Sequence, residues 1–132
     1  MSRLPITREV RIVKDYGAAL FEDVDVNLFD LHVAHHGSGL GVTTGRTFRG
    51  CRIQGPAIML VSSGVRFNDC NFGDPDGDMR NLVLRPAGSR ALGVVPLRDT
   101  LFDGCEFFNV GFTGPEVVLN DLLAVGQGAR RA

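Results

Sequence analysis

One six-residue pattern occurs three times without gaps: Phe48-Arg49-Gly50-Cys51-Arg52-Ile53, Phe67-Asn68-Asp69-Cys70-Asn71-Phe72 and Phe102-Asp103-Gly104-Cys105-Glu106-Phe107. The consensus is Phe-x-(Gly/Asp)-Cys-x-(Ile/Phe). Repeated segments fold as equivalent units that stack on one another, so such a repeat constrains the chain more than its composition does. Phe48 and Phe67 are 19 residues apart, and Phe67 and Phe102 are 35 apart. The longer gap is close to two periods of about 17–18 residues, the spacing of a repeat array. A degenerate copy is then expected near residue 84, where Leu82-Val83-Leu84-Arg85-Pro86-Ala87-Gly88 puts Ala87 in the cysteine place. Upstream, Phe21-Glu22-Asp23-Val24-Asp25-Val26 fits with Val24 replacing Cys.

Apolar and polar residues alternate within each unit, which points one face of a short strand inward. Gly55-Pro56-Ala57-Ile58-Met59-Leu60-Val61 and Gly114-Pro115-Glu116-Val117-Val118-Leu119-Asn120 both open with Gly-Pro and read as second strands. Stacking in sequence order gives parallel ladders in which like residues coincide. The structural ladder is predicted to consist of Phe48, Cys51, Ile53, Phe67, Cys70, Phe72, Phe102, Cys105 and Phe107. Cysteine fits such a column as a small buried hydrophobe. The expected fold is all-β: a short single-stranded parallel β-helix of about five coils, stacked like other repeat arrays. Residues 1–17 form an N-terminal arm or cap, 18–125 the β-helix, and 126–132 a flexible C-terminal tail. An antiparallel β-sandwich is the competing architecture.

The units at 48–53, 67–72 and 102–107 resemble coils of right-handed parallel β-helix proteins of the pectate-lyase-like kind, a likeness at the level of the repeat. Val13-Lys14-Asp15-Tyr16-Gly17-Ala18 is similar to the segment that opens the β-helix in many phage tailspike and pectate-lyase-like proteins. The resemblance implies a right-handed coil and a virion setting. It also implies a Ca²⁺-assisted sugar site on one sheet face, for which Arg49 and Arg52 with Asp69 and Asp103 could be drawn together.

The bulk numbers exclude several classes. At 132 residues, with 44% hydrophobic and 22% charged residues, the chain reads as one globular domain. A formal net charge of -1 provides no basic footprint for nucleic acid or an anionic membrane. No apolar run is long enough to span a bilayer, and the N-terminus lacks the apolar core of a signal peptide. Three cysteines without a Cys-x-x-Cys pair argue against a disulfide framework or a zinc site. A protein made in a reducing cytoplasm is expected. There are 17 glycines and nine phenylalanines, against one tyrosine and no tryptophan. That balance suits turn-dense β structure with aromatic residues inside.

Asp74, Asp76 and Asp78 form the densest carboxylate cluster, at alternate positions suited to a hard cation. Position six of the corresponding EF-hand loop is Met79 and position twelve is Arg85, so the pattern departs from that motif. Asp, Pro and Gly cluster equally well in a solvated turn. His32, His35 and His36 are potential zinc or acid–base residues; if Leu31–Ala34 is a strand, His32 and His36 share a face. Gly37, Gly39 and Gly41 read as a flexible insertion, since no phosphate-binding signature surrounds them. Ser62 and Ser63 are candidate nucleophiles without a visible base.

No catalytic residue, cofactor or resident metal is expected. The leading functional expectation is a non-enzymatic structural or assembly protein. It would be homo-oligomeric, in a trimer, with capsid decoration, cement or a tail component as the concrete form. The N-terminal arm could reach other structural proteins. The alternative is a carbohydrate-binding or polysaccharide-lyase-like protein.

Overall fold

Phenylalanines from four separate stretches of chain lie side by side in one parallel sheet. The strands are β1 (Leu20–Glu22), β4 (Thr47–Arg49), β6 (Arg66–Asn68) and β8 (Leu101–Asp103), in the spatial order β1-β4-β8-β6. The register puts Phe21 beside Phe48, Phe48 beside Phe102 and Phe102 beside Phe67. Their rings stack almost flat, with centroids 4.8, 5.0 and 5.3 Å apart. These arrangements come from a computed structural model that describes residues 5–37, 39–86, 88 and 93–131, the last seven as helix backbone.

A second parallel sheet carries β2 (Asp25–Asn27), β3 (Thr43–Thr44), β5 (Arg52–Val61), β7 (Val95–Arg98) and β9 (Glu106–Thr113). Sharp corners join the two sheets. The third position of every repeat unit turns there with positive φ: Asp23 at 52°, Gly50 at 60°, Gly104 at 64° and Asp69 at 52°. Only Gly, Asn and Asp visit this left-handed region readily, which explains the Gly/Asp alternation in the consensus. A parallel set of corners, Gly45, Asp99 and Gly64, leads from the second sheet back into the first.

This architecture corrects the expected fold. The protein is mixed α/β, and the units do not stack in chain order as a single-stranded β-helix of about five coils. The last unit lies between the two before it. Leu97 pairs with both Thr43 and Val61, Phe102 with both Phe48 and Phe67, and Glu106 with both Arg52 and Asn71. Segment 95–106 therefore separates stretches of chain 18 or 19 residues apart. The 35-residue gap was not two coils. Among the described residues between Phe72 and Val95 the chain leaves the sheets into a short 3-10 helix, Met79–Asn81, and bridges the ladder once, from Val83 to Phe112. Ala87, the expected stand-in for Cys, lies outside the described residues.

Two helices replace expected strands. Helix α1 (Leu28–His36) starts where the Asn27 side chain accepts a hydrogen bond from the Asp30 amide at 3.0 Å. It ends at Gly37, which has φ 58° and whose amide bonds Val33 O at 2.9 Å. Leu28 and Leu31 are fully buried against the strands. Helix α2 (Glu116–Arg131) follows Gly114-Pro115, although Gly55-Pro56 sits inside a strand. Leu119 and Leu122, three apart, are buried on one helical face. The helix crosses the boundary drawn at residue 125 and includes most of the segment read as a tail.

Between Ile6 and Val13 the N-terminal segment lies on the body. The Ile6 amide bonds Glu106 Oε2 at 2.7 Å, and Ile12 bridges Asp25. Asp25 is 5% exposed and anchors this segment. Its carboxylate receives Arg52 Nε at 2.7 Å, Arg52 Nη2 at 3.0 Å, Arg8 Nη1 at 3.1 Å and the Arg11 amide at 3.0 Å. Burial acts to raise the Asp25 pKa, but the hydrogen bonds from Arg52, Arg11 and Arg8 outweigh it and hold the carboxyl below its ordinary value.

Candidate functional site

The sequence candidates separate in space. Asp74 and Asp76 are exposed, and Asp78 is half-buried. Asp74 Oδ1 accepts the Asp76 amide at 2.8 Å, and Asp78 caps the 3-10 helix and pairs with Arg80 at 2.7 Å. Their carboxylates shape a turn. Among the described residues no three His, Cys, Asp or Glu side chains are grouped to hold a metal ion. Of the residues drawn as a sugar site, Arg49 and Asp103 form an exposed ion pair at 3.7 Å, whereas Arg52 is turned to Asp25.

The cysteines are buried beside the phenylalanine row. Each thiol donates to a phenylalanine carbonyl one strand away: Cys51 to Phe21 O at 3.3 Å, Cys105 to Phe48 O at 3.2 Å and Cys70 to Phe102 O at 3.3 Å. Contact with Cys51 and Cys70 on either side, and then burial, push the Cys105 thiol up. Ile53 and Phe107 pair in the second sheet, and the Phe72 and Phe107 rings stack at 5.6 Å. Of the expected ladder, all but the half-buried Phe67 are buried, and the three thiols are covered by neighbouring strands.

The three histidines lie on α1, not on a strand. His32 and His36, one turn apart, have ring centroids 5.1 Å apart. His35 points elsewhere: its Nε2 donates to Tyr16 O at 2.7 Å, with Arg46 Nη2 at 3.3 Å. His36 Nε2 contacts the Thr43 hydroxyl at 3.3 Å, and its ring fills the space where a Cβ on Gly41 would sit. Burial, then the imidazoles of His32 and His35, lowers the His36 pKa and keeps that ring uncharged near neutral pH.

His32 borders a cleft of about 1150 Å³. One wall is α1, with Phe29, His32 and Val33; another is the glycine-rich loop carrying Leu40 and Val42. The floor comes from the outward side of the second sheet. Pro96, Leu60 and Thr113 are neighbours in register across β7, β5 and β9, and all three line the cleft. The next residues in register, Val61 and Leu97, are buried in the core on the other side. Ser62 and Ser63 lie at the end of β5, and Gly114-Pro115 opens α2. No charged side chain lines the cleft among the described residues.

Two polar atoms at this cleft, one on His32 and one on Thr113, are buried without a hydrogen-bond partner. His32 Nε2 lies 3.2 Å from Gly39 O, a pure acceptor, so in the neutral ring Nε2 carries the hydrogen and Nδ1 holds a free lone pair. Nδ1 is buried without a hydrogen-bond partner. The Thr113 hydroxyl is likewise buried and unpartnered, in a residue 3% exposed. Since Nδ1 has no partner, neither Ser62 nor Ser63 forms a nucleophile–base pair with His32. The histidines and serines were visible in the sequence as separate candidates. Thr113 and the cleft were not, because the lining comes from distant segments joined by sheet register.

Among the described residues no helix is long and apolar enough to cross a membrane. Comparison with protein-family models, characterised proteins and solved structures finds no match to this chain.

Proposed function

We propose that this protein is a non-catalytic binding module for a small, predominantly apolar molecule seated between α1 and the outward face of β5, β7 and β9. The carrying observation is the cleft itself: about 1150 Å³, walled by Phe29, Val33, Leu40, Val42 and Pro96, with no charged lining residue among the described ones. Ligand sites are commonly concave and apolar, about 300–1000 Å³, with a few polar groups that fix orientation. Phe29 and Leu40 remain 58% and 85% exposed, an apolar surface that water solvates poorly.

The test uses N-phenyl-1-naphthylamine, an uncharged probe whose emission rises in apolar surroundings. Emission should rise with the native protein and not with Ser63→Trp, which places an indole at the cleft without disturbing the core. No rise, or an equal rise with the variant, removes this reading.

A second reading, homo-oligomeric assembly, draws on Phe108 and Val117, which are 67% and 66% exposed away from the buried cluster. Phe108 lies on β9 and Val117 on α2. Light scattering that gives a monomer mass at working concentration would remove it.

A further inference from the structure

Resting on the reading of the cleft as a binding site, we propose that its ligand is an uncharged molecule carrying a hydrogen-bond donor, a hydroxyl or amide N–H, anchored by His32 Nδ1 and Thr113 Oγ1. Buried polar atoms are nearly always hydrogen-bonded, and one left unpaired destabilises the fold. Here two such atoms lie at the same cleft. Thr113 stands in the outward row with Leu60 and Pro96, so its side chain belongs to the cleft wall and not to the phenylalanine core. Valine has the same shape and would fill that place without an unpaired hydroxyl. In the neutral ring His32 Nδ1 accepts while Nε2 donates to Gly39 O, so its complement there must donate. Thr113 can then donate to or accept from a second ligand atom.

Charge is disfavoured in the ligand because no lining side chain among the described residues would compensate it. Both anchors are covered in this conformation. A rotamer step at Thr113, and side-chain movement around His32 that keeps the Nε2–Gly39 O bond, bring them to the ligand. This is an orienting site, with no bond made or broken.

Calorimetry with three probes of one shape tests this: 2-naphthol, naphthalene and 2-naphthoate. The native protein should prefer 2-naphthol over naphthalene by about tenfold, the effect of one hydrogen bond. It should bind 2-naphthoate more weakly than 2-naphthol. Thr113→Val should reduce the preference, leave naphthalene binding unchanged and raise the midpoint of thermal unfolding. His32→Phe, which keeps a ring but deletes the acceptor, supplies an independent variant and should also reduce the preference. Equal affinity for 2-naphthol and naphthalene overturns the donor assignment and leaves the cleft as an apolar site. Tightest binding of 2-naphthoate overturns the uncharged ligand. Failure of all three probes to bind overturns the cleft reading as well.

Discussion

Arg52 grips Asp25 with two prongs, Nε on Oδ1 at 2.7 Å and Nη2 on Oδ2 at 3.0 Å. Bidentate guanidinium–carboxylate pairs are the strong members of their class. This one also receives Arg8, which ties the N-terminal segment to β2. Asp25→Asn leaves both guanidinium groups without their carboxylate. The expected loss is on the order of 3 kcal/mol, as for breaking a buried pair, read as a lower urea midpoint. Trypsin should also cleave after Arg8 and Arg11 faster than in the native protein.

The pH profile follows from the same pair. Because the folded Asp25 pKa is depressed, its stabilisation is fully present above the unfolded carboxylate pKa of about 3.9. It is lost as pH falls through the folded value. His36 is depressed too, so stability should begin to fall as pH drops below about 6.5, the ordinary histidine value. Denaturant midpoints from pH 7 to pH 3 should show both windows. Asp25→Asn should abolish the lower one, and a profile unchanged by it would disprove the assignment.

Phe102 has a stacked phenylalanine on each side and no solvent exposure, whereas Phe67 at the sheet edge is half-buried. Phe102→Ala should cost about 3–5 kcal/mol, the range for a buried aromatic. Phe67→Ala should cost clearly less. Chemical denaturation of the two variants decides the order.

Thiol reactivity should reflect burial. Cys51 and Cys105 are fully buried and Cys70 is 9% exposed. An aromatic disulfide reagent should label the native protein slowly, Cys70 first and Cys105 last, and label all three cysteines at once in guanidinium. Rapid native labelling of Cys105 would contradict the packing.

Two glycines separate backbone strain from crowding. Gly77 has φ 87° and nothing within 4 Å of an added Cβ. Gly64 has φ 78°, and its Cβ would press on Asp99, the Cα included at 3.0 Å. Gly77→Ala should cost about 1–2 kcal/mol, the left-handed penalty alone. Gly64→Ala should cost more, because the adjoining corner must shift. Equal losses in thermal unfolding would show that the corners give way freely.

The repeat identifies which residues stack but not in what order. Phe48, Phe67 and Phe102 hold the same place in one motif, so nothing in the motif says that Phe102 lies between the other two. The Gly/Asp position suited a strand interior, a bulge or a bend in the sequence, and the structure makes it a corner with positive φ in all four units. Helix α1 had readable caps in Asn27 and Gly37, but its run Leu28 to Ala34 is short and apolar enough to suit a strand equally well. Gly114-Pro115 misled by analogy with Gly55-Pro56. The spacing of Leu119, Leu122 and Leu123 was the better guide. The cleft was illegible because register, not spacing, brings Thr113 beside Leu60 and Pro96.

The insertion of segment 95–113 between two earlier stretches makes this a protein in two complementary pieces. The first seventy or so residues leave a slot one strand wide between Phe48 and Phe67, and nothing synthesised before residue 95 can fill it correctly. In the finished sheet the rungs of Phe48 and Phe67 each pair with the rung of Phe102 and not with each other. Productive assembly thus waits for the C-terminal third. A backbone severed in the excursion between Phe72 and Val95 should yield two fragments that recognise each other as strand and slot, reconstituting the fold without a covalent link.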